Sequence, residues 1–195
     1  AETGDSGGEI NFTERTGESG LSYTDERRGV GNGNAGVYVI DANNDGWEDV
    51  VTIGGERPSL FVNRNGTFER SDALPGLNRS FKSAAVVDYD GDGWDDLLLL
   101  PAGGSVVTLH NDRGTFERVD VGLGNTTYPL GAAPADYDGD GEVDLLIYQS
   151  GDWSEGKPKG SVSLESSFED DNGNPNLLYE NTDDGFERVT DAGIE

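Results

Sequence analysis

The chain has 195 residues, with 39 acidic and 13 basic side chains and a formal net charge of −26 at pH 7. A polyanion of this size excludes nucleic acid and anionic membrane surfaces as electrostatic partners, and no apolar run is long enough for membrane insertion. The chain has no cysteine, which excludes disulfides and thiolate metal sites. High acid content with only 33% hydrophobic residues favours an acidic protein from a halophilic source.

The N-terminal stretch comes before any repeated pattern. Residues 1–9 are rich in glycine and acid, which predicts a flexible acidic lead. Residues 10–21 resemble later segments in which a phenylalanine is followed by a polar stretch, a glycine and an apolar residue. Those later segments read as the last strand of a repeat unit, so we predict that residues 10–21 form a lone closing strand.

Three acidic segments with the shared pattern D-x-[DN]-x-D-G-x-x-D organise the rest of the chain. They begin at Asp41, Asp88 and Asp136, so the spacings are 47 and 48 residues. Each segment lies between two runs of small, β-branched or aliphatic residues that read as strands. A repeat of this period indicates a stacked or radial repeat fold.

Each acidic segment reads as a loop that binds calcium. Oxygens at alternate positions of a tight loop converge on one point, where unpaired carboxylates would repel one another. Calcium accepts six to eight oxygen ligands in flexible geometry, whereas magnesium needs a stricter octahedron with fewer protein ligands, so calcium is favoured. We predict three sites, with side-chain ligands at positions 1, 3, 5 and 9 and a backbone carbonyl at position 7. The predicted ligands are Asp41, Asn43, Asp45, Trp47 and Asp49 in the first loop, Asp88, Asp90, Asp92, Trp94 and Asp96 in the second, and Asp136, Asp138, Asp140, Glu142 and Asp144 in the third.

Two details of the loops refine this prediction. The glycine at position 6 (Gly46, Gly93 and Gly141) is expected where the chain turns sharply. The first loop has Asn43 in place of an aspartate, so we expect it to be the weakest site. An EF-hand is excluded, because position 12 lacks the bidentate glutamate and the flanks are strand-like. The remaining alternative is that the loops are solvated acidic turns.

The units between the loops predict an all-β fold of four-stranded antiparallel blades. A small-residue strand enters each loop, an apolar strand leaves it, and a hairpin closes the unit, which is the pattern of a β-propeller blade. The predicted blades span approximately residues 35–77, 83–124 and 131–194, within one segment of residues 10–195. Three blades are too few to close a ring, so the prediction is a partial or fragment propeller whose neighbours are further blades of a longer chain or further copies.

The third unit is longer than the others, because residues 150–175 are inserted before its closing hairpin. This segment is polar and rich in glycine and serine. Inserted loops of repeat proteins often carry binding function, and the alternative is a tolerated surface excursion.

The loops, the LFVN-type strands and the closing F-x-x-[VR]-[TS]-x-x-G-[LI] segments resemble those of FG-GAP/VCBS repeat proteins, which are relatives of the integrin α-subunit propeller. Secreted proteins of the cartilage acidic protein (ASPIC/UnbV) type are similar in the same features. The resemblance covers about residues 10–195. It implies a calcium-binding propeller, usually of seven blades, that is extracellular and serves adhesion or recognition.

The predicted function is therefore a calcium-binding module, secreted or at the cell surface, for adhesion or for recognition of an unknown protein or glycan. In this prediction calcium is structural. The alternatives are a spacer of a larger surface protein that binds nothing and a polysaccharide-active enzyme. We predict no enzyme, because the chain has one histidine, His110, no cysteine and no G-x-S-x-G nucleophile motif.

Overall fold

The computed structural model describes residues 12–21, 36–53, 57–77, 79–101, 103–149, 174–191 and 193. Their regular structure is almost entirely antiparallel β-sheet. In chain order the elements are α1 (Thr16–Ser19), β1 (Gly36–Ile40), β2 (Asp49–Ile53), β3 (Ser59–Arg64), β4 (Thr67–Ser71), β5 (Phe81–Val87), β6 (Asp96–Pro101), β7 (Gly103–Ser105), β8 (Val107–Asp112), β9 (Thr115–Val119), β10 (Asn125–Thr127), β11 (Pro129–Ala135), β12 (Asp144–Gln149), β13 (Leu177–Thr182) and β14 (Gly185–Val189). The described residues include no helix with the length and apolar character needed to cross a membrane.

The strands form three sheets of four, each a β-propeller blade, as predicted. Their orders are β1-β2-β3-β4, β5-β6-β8-β9 and β11-β12-β13-β14, and every pairing is antiparallel. The first strands lie side by side, since β1 contacts β5 and β5 contacts β11. The described residues therefore form three consecutive blades and no closed ring. A small two-stranded sheet of β7 and β10, which the sequence did not predict, lies outside the blades.

The core lies between the blades. Because successive side chains of a strand point to opposite faces, the run Leu97–Leu100 of β6 contributes to two cores. Leu97 and Leu99 pack against the first blade, and Leu98 and Leu100 pack against the third. All four leucines are fully buried. Continuous burial of β6 therefore comes from a neighbouring blade on each side.

The closing hairpins use the turn residues that their geometry requires. Asn65 and Gly66 have φ values of 56° and 92°, and Arg113 and Gly114 have values of 54° and 90°. Two successive residues with positive φ are the mark of a type I′ hairpin turn, whose twist matches that of the flanking strands. These turns fix the register of the third and fourth strands in the first two blades.

The prediction of a lone closing strand at residues 10–21 is wrong for the part that the structure describes. Residues 12–21 contain the helix Thr16–Ser19 and no strand. A closing strand needs the third strand of its own blade as a partner, and the described residues offer none. Instead, the Glu14 carboxylate accepts a hydrogen bond from the Thr16 amide at 2.6 Å, and the helix ends at Gly20 in the left-handed conformation. A Cβ at Gly20 would collide with the Phe68 carbonyl oxygen.

The predicted lead at residues 1–9 and residues 150–173 of the insertion lie outside the described residues.

Candidate metal centres in the three acidic loops

Each acidic loop connects the first and second strands of its blade, so the three loops lie at the same end of the three blades. The first two loops also contact each other. The Asn44 side-chain amide donates to the Gly93 carbonyl at 2.9 Å, and the Asp41 amide donates to the Asp95 carboxylate at 3.3 Å. The first and second loops are therefore joined directly by hydrogen bonds between neighbouring blades.

The backbone of each loop turns where the sequence predicts. The position-6 glycines Gly46, Gly93 and Gly141 have φ values of 83°, 85° and 97°, a region that residues with a side chain rarely adopt. Position 4 also has positive φ, and it is occupied by Asn44, Gly91 and Gly139. The sequence analysis did not use that second position, although asparagine and glycine are the two residues that tolerate it best.

Backbone amides orient the carboxylates of the loops in nearly the same way in all three blades. In the second loop the Asp88 carboxylate accepts from the amides of Asp92 and Gly93, at 3.1 and 2.9 Å. The Asp90 carboxylate also accepts from Asp92, and Asp92 accepts from Trp94 at 2.9 Å. The first loop repeats this set, and the third repeats it with one change, in which the position-1 aspartate accepts from position 4 instead of position 5. Each carboxylate keeps lone pairs that these bonds do not use.

The aspartate at position 9 is buried in every loop, with an exposed fraction of 0 to 1%. In the second blade Asp96 accepts from the Tyr89 amide at 3.2 Å and from the Asn111 amide at 2.7 Å. Asp49 and Asp144 make the same two kinds of bond. The position-9 carboxylate thus ties its loop to the third strand of the blade, which is a structural role that the sequence analysis did not assign.

Burial raises the pKa of the Asp96 carboxyl to about 6, and the nearby Asp90 carboxylate adds to the rise, while the backbone hydrogen bonds oppose it. Burial likewise raises the pKa of Asp49. A raised carboxyl pKa means that the charged form is unfavourable in its surroundings. A bound cation would remove that penalty.

The structure brings the predicted ligands together in the second and third loops. Carboxylate oxygens at positions 1, 3 and 9 lie within 4.8 Å of one another, in the groups Asp88, Asp90 and Asp96 and Asp136, Asp138 and Asp144. Asp92 groups instead with Asp90 and His110. The first loop has the amide of Asn43 where the others have the second carboxylate. The ligand roles of all the predicted residues, in the first loop as in the other two, stay predictions.

The residues present fit a hard divalent cation. The donor atoms of the two carboxylate groups are all oxygen, which is the ligand type that calcium and magnesium prefer. Among the described residues, no lysine or arginine forms an ion pair with a loop carboxylate. The negative charge of the loops is therefore not neutralised by a lysine or arginine of the described part of the chain.

A buried asparagine in each third strand is a residue that the sequence analysis missed. The Asn111 side-chain amide donates to the Asp95 carbonyl of its own loop and to the Ala42 carbonyl of the preceding loop, both at 3.0 Å. Asn181 makes the corresponding bond to the Tyr89 carbonyl at 2.7 Å. Asn63 bonds to its own loop at Glu48. The signal was available, because an asparagine stands five residues before the phenylalanine of each closing strand.

A cleft of about 570 Å³ lies between the second and third blades, next to the second loop. Its walls include Tyr89 and the acidic side chains of Asp120, Glu142, Asp183 and Asp184. Burial and the neighbouring carboxylates raise the pKa of the Tyr89 hydroxyl to about 12. The cleft therefore offers acidic side chains and one neutral phenol beside the apolar side chains of Val121 and Val143.

Comparison with known proteins agrees with this architecture. No curated protein matches the chain. The fold is similar to that of an Agrocybe aegerita lectin, described as specifically recognising non-reducing terminal N-acetylglucosamine, with a TM-score of 0.51 and 16% sequence identity. The likeness covers 82% of this chain and 39% of the lectin chain, so the present chain spans well under half of that protein's length. At this identity the likeness concerns the fold alone.

A family model for the FG-GAP-like repeat matches the chain twice, over residues 41–99 and 88–147. Each match begins at the first aspartate of one loop and ends in the strand that follows the next loop. The two matches together cover residues 41–147, which is more than half of the sequence. The chain therefore belongs to the family of FG-GAP-like repeat proteins.

Proposed function

We propose that this chain is a recognition module in which calcium, bound in the three acidic loops, holds neighbouring propeller blades together. The observation that carries the proposal is the convergence of three carboxylates in the second and third loops, within a hydrogen-bond pattern that the first loop shares. In this proposal calcium has a structural role, and the chain binds a ligand rather than catalysing a reaction.

Calcium would stabilise the module in two ways. It would neutralise carboxylates that repel one another inside each loop. It would also stiffen the loop carbonyls of Ala42 and Tyr89, which accept hydrogen bonds from the buried asparagines of the next blade. An ion that binds only the folded state, present at about ten times its Kd, stabilises that state by about 1.4 kcal/mol per site.

The proposed ligands are glycans or proteins outside the cell. Support comes from the fold, which resembles that of a lectin, and from the cleft between the second and third blades, which is lined by both acidic and apolar side chains. A location outside the cell suits loops of this kind, because extracellular calcium modules bind the ion with Kd values of about 0.1 to 1 mM. A charge of −26 suits work in concentrated salt, which screens the self-repulsion.

Thermal unfolding tests the role of calcium. The protein is melted in concentrated salt, after removal of divalent ions with a chelator, and again with calcium or magnesium added back. We expect the melting temperature to fall on chelation and to recover with calcium in a concentration-dependent way. Asp92→Asn in the second loop should weaken the recovery, whereas Asp112→Asn, which removes the same charge from an exposed position outside the loops, should not. An unchanged melting temperature after complete chelation would refute the proposal.

Recognition is tested separately with an array of glycans that includes terminal N-acetylglucosamine, alongside an assay for release of reducing sugar from polysaccharides. We expect calcium-dependent binding and no release. Release of sugar would identify an enzyme. Absence of any binding, with the calcium effect intact, would identify a structural spacer.

A further inference from the structure

The only histidine of the chain lies against the second loop. The Nδ1 atom of His110 is 3.3 Å from an Asp90 carboxylate oxygen and 3.2 Å from an Asp96 carboxylate oxygen. The ring of Tyr89 meets the imidazole edge-on, with the ring centres 6.2 Å apart. His110 projects from β8, so a strand and an aromatic neighbour fix the imidazole beside the predicted ligands.

The Nδ1 atom is buried, and no group of the described residues forms a hydrogen bond with it. The two carboxylate oxygens are close enough but are not aligned with the ring for a hydrogen bond. A buried polar atom without a partner is rare and unfavourable in a folded protein. The His110 side chain as a whole is 25% exposed, and the two carboxylates lie at ion-pair distance from Nδ1 without forming a hydrogen bond with it. A shared cation would satisfy Nδ1 and the carboxylates together.

The spacing fits a shared metal ion. Ligand atoms of Asp90, Asp92 and His110 lie within 4.8 Å of one another. Two ligand atoms that each lie about 2.1 Å from one ion are separated by about 3.0 to 3.4 Å when the angle at the ion is between octahedral and tetrahedral values. The separation of 3.3 Å between Nδ1 and the Asp90 carboxylate oxygen falls in that range.

The first and third blades lack this imidazole. The residue before the buried asparagine is His110 in the second blade, Val62 in the first and Glu180 in the third. Strand pairing confirms that His110, Val62 and Glu180 occupy corresponding positions. In each blade, the residue just before this position is paired with the residue just after the position-9 aspartate. Only the second loop can therefore combine carboxylates with a nitrogen ligand in this way. Imidazole nitrogen suits zinc, copper, iron and nickel, whereas carboxylate, carbonyl and water oxygens suit calcium and magnesium.

We propose that Nδ1 of His110 is a ligand of the ion in the second loop, together with Asp90 and Asp92, and that this loop prefers a zinc-type divalent ion to calcium. The neutral imidazole donates its Nδ1 lone pair and keeps its proton on Nε2. This inference rests on the proposed function, since it takes the loops to be cation sites. It gives the three loops two chemistries, with oxygen-only sites in the first and third blades and a mixed nitrogen and oxygen site in the second.

The single histidine makes the test direct. The 15N spectrum of the imidazole is recorded for the chelated protein, then with calcium alone, then with zinc added while calcium is present. We expect the Nδ1 signal to move to that of a metal-bound nitrogen on addition of one equivalent of zinc, with Nε2 remaining protonated. An Nδ1 signal that stays protonated, or does not move after zinc saturation, would overturn the inference.

Two variants sharpen the result. His110→Val, which places the residue of the first blade in the second, should lower the zinc affinity at least about tenfold and leave calcium binding by the other loops intact. Glu180→His should give a second zinc site in the third loop, and it remains a test if the valine variant fails to fold. Equal zinc affinity in the wild type and His110→Val would refute the role of His110. If calcium fails to stabilise the protein while zinc moves the imidazole signal, the proposed function fails and this inference stands.

Discussion

The second blade has a neighbour on each side, whereas the first and third blades each have one among the described residues. The difference is visible in equivalent strands. All four leucines of Leu97–Leu100 in β6 are buried, but in β12 of the third blade Leu146 and Tyr148 are 37% and 54% exposed. Among the first strands, Val37 of β1 is 69% exposed, whereas Ala84, its counterpart in β5 of the second blade, is 4% exposed. Each face of a blade is buried only where a neighbouring blade packs against it. Stability is therefore shared between neighbouring blades, as in other repeat proteins.

The largest expected effect comes from matched leucines of the second and third blades. Leu98 and Leu146 each stand two residues after the position-9 aspartate, but Leu98 is fully buried. Leu98→Ala should lower the free energy of unfolding by about 3 kcal/mol, because it leaves a cavity between two blades. Leu146→Ala should cost less than about 1 kcal/mol. Urea unfolding in calcium and concentrated salt measures both, and equal losses would contradict the view that neighbours supply the burial.

The buried asparagines give the next largest difference. Asn111 is fully buried and bridges the first two loops, whereas Asn63 bonds within its own blade. Asn111→Ala should lower the free energy of unfolding by about 2 to 3 kcal/mol, because it leaves the buried Ala42 carbonyl and the partly buried Asp95 carbonyl without this donor. Asn63→Ala should cost about 1 kcal/mol less. Urea unfolding measures both changes. A larger loss of unfolding free energy for Asn63→Ala would show that the hydrogen bonds of Asn111 between the blades contribute little stability.

The raised pKa of the position-9 aspartate Asp96 predicts an unusual dependence of stability on pH. The folded-state pKa of Asp96 is raised to about 6, above its ordinary value of 3.8. Between these two pKa values the folded state binds more protons than the unfolded state. Without divalent ions, the contribution of Asp96 to stability should therefore increase as pH falls from 7 towards 4. With calcium bound, protons compete with the ion and the trend should reverse. Melting temperatures across this range, with and without chelator, measure the two slopes, and Asp96→Asn is the control that should flatten the first.

The sequence predicted the blades and loops well for physical reasons. Strict spacing, glycine at position 6 and paired apolar runs each follow from local rules of turn geometry and strand alternation. It did not predict the bridging role of Asn111 or the hydrogen bonds of Asp96 to the third strand, because these depend on which backbone amides and carbonyls of neighbouring strands come close. The prediction of a closing strand at residues 10–21 was wrong for a related reason. The segment Phe12–Leu21 has the right residues, but a strand also needs a partner, and sequence similarity does not supply one.

The smallest expected effect concerns the composition of the loops themselves. The first loop has Asn43 where the second has Asp90. Asn43→Asp adds a carboxylate at position 3 and should raise the calcium affinity of the first loop about three- to tenfold, because ligand charge tunes affinity in such sites. The reverse change, Asp90→Asn, should weaken the second loop by a similar factor. Calorimetric titration with calcium resolves both changes. If neither substitution alters affinity, then the oxygens at positions 1 and 9 are sufficient for binding, and the side chain at position 3 serves only to accept the hydrogen bond of the Asp45 or Asp92 amide.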